Sequence, residues 1–337
     1  MQRLFLAALL ATLVLRPAAA AELNLYTTRE PGLLQPLLAG FTAKTGITVN
    51  SVFLQAGLAE RVAAEGANSP ADLLMVVDIG NLLDLVKRGL AQPVRSDVLE
   101  QAIPAELRDE SGQWFALSLR ARAIFVARDR VADPPRTYED LADPRFRGKV
   151  CIRAGQHPYN NALFAAMVAK SGEEATAIYL TALKANLARR AGGGDREVAR
   201  DILAGLCDVG VSNTYYQGIM LSGQGGAEQK RWGEAVRVVL PSFRDGSGTH
   251  VNISGAIVAR HAPHPAAAVA LLEYLVTPEA QRAYADLNFE SPVRPGVEPN
   301  PIVAGFGPLR PDTLPLPAIA AQRTAASLIV DRVAFDR

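Results

Sequence analysis

The chain has 337 residues, 49% of them apolar and 20% charged, with a formal net charge of +1. Those values exclude a disordered chain and fit a soluble globular protein long enough for two lobes, each with its own core. With no long run of like charge, no internal repeat and no low-complexity tract, nothing argues for a nucleic acid or an anionic membrane surface as partner.

The first residues read as an export signal. Met1-Gln2-Arg3 gives a short basic start, Leu4 to Leu15 is almost wholly apolar, and Arg16-Pro17 leads into four alanines, Ala18 to Ala21. A charged start, a short apolar core and small residues at the cut site define a secretory leader, here 1–21, cut after Ala20 or Ala21. About 12 apolar residues are too few for a helix to span a bilayer of about 30 Å. The mature protein is therefore expected to be soluble and periplasmic.

Strands and helices then alternate. Leu23 to Thr27 reads as a strand. From Pro31 to Lys44, apolar residues Leu33, Leu34, Leu37, Leu38 and Phe41 recur at helical spacing, and Gly46 follows where a left-handed cap is common. Ile47 to Phe53 and Leu73 to Val77 are strand-like, and Leu58 to Glu65 and Ile79 to Arg88 are helical. This β-α-β-α-β order implies a parallel sheet covered by helices. A second block opens with Phe115 to Ala127, a long β-capable run interrupted by Arg120 and Arg122. Val150-Cys151-Ile152 is a short strand, and Asn160 to Ala169 and Glu173 to Leu187 are helical. After Gly192-Gly193-Gly194, Asp195 is expected to cap a helix carrying Val198, Ile202, Leu203 and Leu206. Val209 to Ser212 is a strand that leads into Asn213-Thr214-Tyr215-Tyr216. Further strands are expected over Val236 to Pro241 and Val251 to Ala259, and helices over Pro265 to Val276, Pro278 to Leu287 and Ala318 to Val330. The two cysteines, Cys151 and Cys207, lie in or beside strands and are expected to form a disulfide in an exported protein.

Few residues suggest chemistry. The four histidines lack metalloprotease or zinc-finger spacing, and no G-x-S-x-G elbow, P-loop or dinucleotide fingerprint is present. His261 and His264 fall in a polar, proline-containing turn, whereas His157 is close to Tyr159. Tyr215 and Tyr216 are adjacent at a polar strand-to-helix junction, where both side chains can reach one pocket. Ligands of open parallel sheets lie outside the carboxyl ends of strands, and Tyr159 occupies an equivalent position. A phenolate is a hard anionic donor suited to ferric iron. Interface packing or sugar stacking would use the same pair, and the residues alone leave these readings open.

Several stretches together resemble the periplasmic ferric-iron-binding proteins of bacterial iron ABC importers, a transferrin-like branch of the two-lobe solute-binding proteins. They are Leu25 to Pro31, Glu65 with Ser69 to Asp72, Gln113 to Leu117 leading to Arg120-Ala121-Arg122, Arg145 to Cys151, and Lys184 to Arg189. Gly193 to Arg196, Ser212-Asn213-Thr214-Tyr215-Tyr216, Asn252 to Gly255 and Pro278 to Gln281 complete the pattern, with the double tyrosine its most specific element. The resemblance implies an α/β two-lobe periplasmic binding protein (type II-like) with a hinge and an interlobe cleft. Lobe one would be 22–121 plus 253–297 and lobe two 122–252 plus 298–337. It implies ferric iron as transported ligand, held by Tyr159, Tyr215 and Tyr216, with carbonate or a similar synergistic anion facing Arg120 and Arg29. Glu30 stands where related proteins place a first-lobe histidine ligand, Pro31 where some have a tyrosine, and Val77 where some have a glutamate, so Glu30 is the candidate first-lobe ligand. Three phenolates neutralise Fe(III), and the two arginines would then neutralise carbonate. The partner would be an inner-membrane ABC permease, and the protein a monomer without enzymatic activity. The alternatives are a binding protein of the same architecture for an oxyanion, phosphonate or polyamine, or a periplasmic enzyme using tyrosine as a base, for which no accompanying catalytic constellation is visible.

Overall fold

The computed structural model describes residues 21–337, so the expected leader lies outside the described residues but for Ala21. The chain runs through β1 (Glu22–Thr27), α1 (Gln35–Thr45), β2 (Thr48–Phe53), α2 (Leu58–Glu65), β3 (Leu73–Val77), α3 (Ile79–Lys87), α4 (Asp97–Ala102) and β4 (Phe115–Ala127). It continues through β5 (Val150–Cys151), α5 (Pro158–Ala185), α6 (Asp195–Leu203), β6 (Val209–Asn213), α7 (Thr214–Ser222), α8 (Gly226–Glu234), β7 (Val236–Val239) and β8 (Val251–Val258). The last elements are α9 (Pro265–Leu275), α10 (Pro278–Asn288), β9 (Ser291–Pro292), α11 (Pro301–Ala304), α12 (Leu316–Ala321) and α13 (Arg323–Arg332).

The strands follow the order β2-β1-β3-β8-β4-β6-β5, with β7 and β9 also paired to β4. β1 is parallel to β2 and β3, as the alternating pattern predicts. The organising element is β4. Its first part, Phe115 to Ala121, pairs antiparallel with β8, whereas Arg122 to Val126 pair antiparallel with β6. One strand thus serves two halves of the sheet and changes partner between Ala121 and Arg122. The chain crosses back beside it, where His250 precedes β8. Tyr138 holds the two crossings together: its buried hydroxyl donates to the Arg122 carbonyl at 2.5 Å and accepts from the His250 N–H at 3.0 Å. At the return crossing, the Thr249 N–H donates to Arg310 O, and Thr249 O accepts from the Asp312 N–H, both at 2.8 Å. Gly248 permits that approach, since its φ is +122° and a Cβ there would lie 2.5 Å from the Arg310 carbonyl oxygen.

One expected break is present, and two differences from the expected elements have local causes. The run from 158 to 185 is helical on both sides of Gly172, whose φ of 83° and ψ of 168° break it into the two helices that the pattern suggests. The last helical stretch is likewise two, α12 and α13, meeting at Gln322. Asp195 does not cap α6. Gly194 is the N-cap, its N–H bonded by the Glu197 carboxylate, and Asp195 turns inward instead.

Cys151 and Cys207 are disulfide-bonded, with Cα atoms 5.9 Å apart. Parallel pairing of β5 with β6 brings them together. The bridge spans 56 residues of sequence, and by unfolded-state entropy a loop of that size contributes about 4 kcal/mol. Chemical denaturation of the Cys151→Ser/Cys207→Ser variant should show a loss of that order, and intact mass of the wild type should rise by two hydrogens only on reduction.

Candidate functional site

The candidate tyrosines are carried on the first turns of two helices in the second half of the sheet. Tyr159 is the second residue of α5, after Pro158 at the position where a helix needs no N–H donor. His157 caps this helix: its Nδ1 accepts from the Tyr159 N–H at 3.2 Å, and its ring packs edge-on against Tyr159 with centroids 4.6 Å apart. Burial, then the nearby Arg153 charge, push the His157 pKa down to about 3, so the imidazole is neutral and able to accept. Tyr215 and Tyr216 open α7 directly after β6, with ring centroids 4.1 Å apart. The helix start turns both side chains to one side, and the hydroxyls of Tyr159 and Tyr215 lie 3.3 Å apart. Three phenols separated by up to 57 positions in the chain thus converge. Among the described residues, no group of three or more His, Cys, Asp or Glu side chains is placed to hold a metal ion.

Two of the phenols, Tyr215 and Tyr216, resist ionisation in the free protein. Burial raises the Tyr215 pKa well above that of an ordinary phenol, with Tyr159 and Tyr216 adding to the effect and Arg120 opposing it. Tyr216 is raised for the same reason, with Tyr159 and Asp195 as further contributors.

Guanidinium groups surround the cluster. Arg120 lies over the Tyr159 ring at 5.1 Å and Arg153 at 5.2 Å, while Arg196 lies over Tyr216 at 5.1 Å. Arg120 is 1% exposed, and only its Nη2 is satisfied, donating to Ile253 O at 2.7 Å; its Nε and Nη1 have no protein partner. Arg29, Arg122 and Arg153 each leave one buried nitrogen unpaired, whereas Arg120 leaves two, a pair that suits a planar anion accepting from both.

Arg29 has a different setting. Its Nη2 meets the Glu290 carboxylate at 2.5 Å, its Nη1 approaches Ser254 Oγ at 3.4 Å, and the whole group is buried. Glu290 also accepts from Ser118 and, at 3.2 Å, from Ser254. Glu30 takes no part in this. It is exposed at the start of a short 3-10 turn, its side chain makes no capping bond, and it forms no ion pair with Arg29 or Arg120.

A second buried carboxylate, Asp195, orders the floor. Arg122 donates to it at 2.5 Å and to the side-chain oxygen of Asn160, the neighbour of Tyr159, also at 2.5 Å. Asp195 also accepts from the Asn213 N–H at 2.9 Å, immediately before α7, and pairs with Arg153 at 3.3 Å. Both tyrosine-bearing helix starts are therefore tied to one ion cluster. Five guanidinium groups, Arg29, Arg120, Arg122, Arg153 and Arg196, stand around the phenols with two buried carboxylates, Glu290 and Asp195, so positive charge is in excess. The sequence reading places that excess on Arg29 and Arg120; the structure matches Arg29 with Glu290 and adds Arg153. Glu290 and Arg153 carried no assigned role in the sequence and Asp195 only that of a helix cap, although the buried-strand setting of Arg122 was a usable sign that it needed an anion.

Residues 68–304 match the bacterial extracellular solute-binding protein family. The chain belongs to that family. It is a solute-binding protein and not an enzyme. It is 39% identical over 321 residues to iron uptake protein A1 of Synechocystis, covering 95% of this chain and 89% of that one. Among solved structures, a Bordetella ferric binding protein is 57% identical with a TM-score of 0.88, covering 94% of this chain and all of the other. A Trichodesmium family member in complex with iron and citrate is 36% identical, also with a TM-score of 0.88, covering 94% of this chain and all of that one. The matched structures have the two-lobe mixed α/β architecture expected here.

Removing Arg122 tests the ion cluster. Burial alone would raise the Asp195 carboxyl, but Arg122, Arg153 and the Asn213 N–H together hold its pKa below the usual carboxylate value. That contribution to stability is full above the unfolded value of about 4 and fades as pH falls through the lower folded value. Arg122→Leu should cost about 3–5 kcal/mol in urea denaturation near neutral pH, because it leaves a buried carboxylate short of its main partner. The difference from wild type should shrink in acid as Asp195 protonates.

Proposed function

We propose that this protein binds ferric iron in the periplasm between its lobes, through the phenolates of Tyr159, Tyr215 and Tyr216 and a synergistic carbonate-like anion at Arg120, and delivers it to an inner-membrane ABC permease. The convergence of three phenols under a buried arginine with two unpaired donor nitrogens carries this reading. Ferric iron with three phenolates is neutral, so a carbonate-like anion would meet the positive charge left unmatched on the surrounding guanidinium groups. The naming of relatives as ferric-binding or iron uptake proteins supports the cargo, and the iron–citrate complex of the Trichodesmium relative supports an anionic co-ligand. The lobes are taken as 22–121 with 253–297 and 122–252 with 298–337, supported by the partner change of β4 after Ala121. Export by a cleaved leader over 1–21 and a monomeric state complete the proposal.

The residues divide the work. Tyr215 and Tyr216 on one helix start, with Tyr159 on another, supply hard anionic oxygens once their protons leave. His157 fixes the backbone beneath Tyr159, and the Arg122–Asp195 pair fixes both helix starts. Arg120 offers its free donors to the anion, while Arg29 is held by Glu290 behind it. Glu30, exposed on the first-lobe side and free of a capping bond, is the carboxylate assigned to approach the metal on closure.

Addition of ferric iron and bicarbonate should give a broad visible band from phenolate-to-iron charge transfer, with one iron per chain by metal analysis. Tyr215→Phe/Tyr216→Phe should lose most of the band and bind iron at least about a hundredfold more weakly, since loss of an outer partner of a ligand alone costs about 10–100-fold. Retention of colour and affinity would overturn the ligand set. In the same assay Glu30→Gln should keep the band and weaken binding; unchanged affinity would remove Glu30 from the site.

Acid should release iron. Phenol protons must leave on binding, and burial raises the pKa of Tyr215 and Tyr216, so protons compete throughout the neutral range. Apparent affinity should fall about tenfold per pH unit for each proton exchanged, while far-UV circular dichroism remains unchanged. An affinity independent of pH between neutral and mildly acidic conditions would contradict phenolate ligation.

A further inference from the structure

The last helix touches both halves of the molecule, at places the binding chemistry does not use. α13 packs along α5, the helix that carries Tyr159, and α12 just before it packs against both α3 and α5. In the tail that follows the helix, the Asp336 carboxylate accepts the Gly155 N–H at 2.5 Å and the Gln156 N–H at 3.0 Å, and Asp331 of α13 accepts from the Gln156 side chain at 3.0 Å. Gln156 also exchanges side-chain hydrogen bonds with α13, donating to Ser327 O at 3.0 Å and accepting from Ser327 Oγ at 2.8 Å. The backbone that enters the His157–Tyr159 turn is therefore fastened to α13.

At its near end, Arg323 reaches the first half. Its carbonyl accepts from Asn161 of α5 at 3.2 Å, while its Nη2 lies 3.7 Å from the Asp78 carboxylate and 3.5 Å from Asn81 Oδ1. Asp78 is fully buried, has a φ of 111°, and stands at the carboxyl end of β3. Its carboxylate caps α3 through the N–H groups of Gly80 and Asn81 and accepts from Asn252 of β8 at 2.7 Å. Among the described residues, Arg323 is the cation within ion-pair reach of that carboxylate. Gly80 leaves room for the arm, since a Cβ there would lie 2.2 Å from Arg323 Cδ and Nη1. A non-glycine residue at positive φ, a glycine opposite an arginine and a buried carboxylate at one spot are each unusual, and together they define a built contact.

We propose that α13 is a strut coupling lobe position to the tyrosine site, with Arg323 as a positioning residue that holds Asp78 of the first lobe and Asp336 as the anchor of the backbone leading to Tyr159. Separation of the lobes breaks the Arg323–Asp78 contact, and closure restores it on the same rigid helix that fastens the Tyr159 turn. The retention of iron thereby depends on a charge that touches neither metal nor anion. This rests on the iron-binding reading for its kinetic consequence only.

The test uses the full exported chain, with spin labels at the exposed positions Val98 of α4 and Ile178 of α5. In the iron-free protein, Arg323→Gln and Asp78→Asn should each broaden the label-to-label distance distribution toward longer values, and the double variant should do no more than either single one. Loaded with iron, all three should lose it to a chelator about tenfold faster with an unshifted band maximum, and Arg323→Lys should stay close to wild type. Asp336→Asn should speed iron loss without changing the distances. Unchanged distances in both single variants, additive effects in the double, or no kinetic effect of Asp336→Asn would overturn the strut. Failure of the wild type to take up iron would instead overturn the proposed cargo, and the iron-free distances would still decide the coupling. Should Asp78→Asn not fold by circular dichroism, the Gln and Lys variants of Arg323 carry the decision.

Discussion

Arg122 and Asp195 meet at 2.5 Å in a region sealed from water, and the rest of the site is arranged around that contact. Neither charge is tolerable there alone, because desolvation of an unpaired ion costs several kcal/mol. Each therefore recruits further partners: Arg122 holds Asn160 beside Tyr159, and Asp195 holds the backbone N–H of Asn213 before Tyr215. The two helix starts that present phenols cannot move independently of this pair. Its position on β4 matters equally, since Arg122 is the first residue of that strand to pair with β6, while Arg120, two positions earlier, pairs with β8 and faces the phenols from the other half.

The same burial that preorganises the phenols keeps the protons on Tyr215 and Tyr216. A buried site is poorly suited to three bare phenolates, and under the proposed reading the three would share one trivalent cation. On that reading, the charge of the cargo would be part of what makes the site acceptable.

Much of the architecture was legible because local periodicity and burial agree. Leu58 to Glu65, Leu73 to Val77 and Phe115 to Ala127 appear in the structure with the bounds that spacing suggests, and Gly46 ends α1 with a φ of 73°. The tyrosines were legible because two adjacent at a strand end is an uncommon pattern. The partners were less so. Arg29 meets Glu290 across 261 positions, and no local pattern marks a single glutamate as the complement of a distant arginine. Asp195 carried a misleading signal: an acidic residue after three glycines reads as a helix cap, yet Gly194 and Glu197 satisfy the helix start and leave Asp195 for the interior. Tyr138, whose hydroxyl touches both crossings, lies in a stretch without periodicity.

That Tyr138 contact has a mechanical consequence. Two strands that cross between lobes without being tied can bend separately, and the lobes could then rock, twist and shear. With one hydroxyl bridging the Arg122 carbonyl and the His250 N–H, the crossings are clamped at a common point, and relative motion is reduced toward rotation about an axis through it. A chromophore on each lobe would read such a rotation as a change in a single distance.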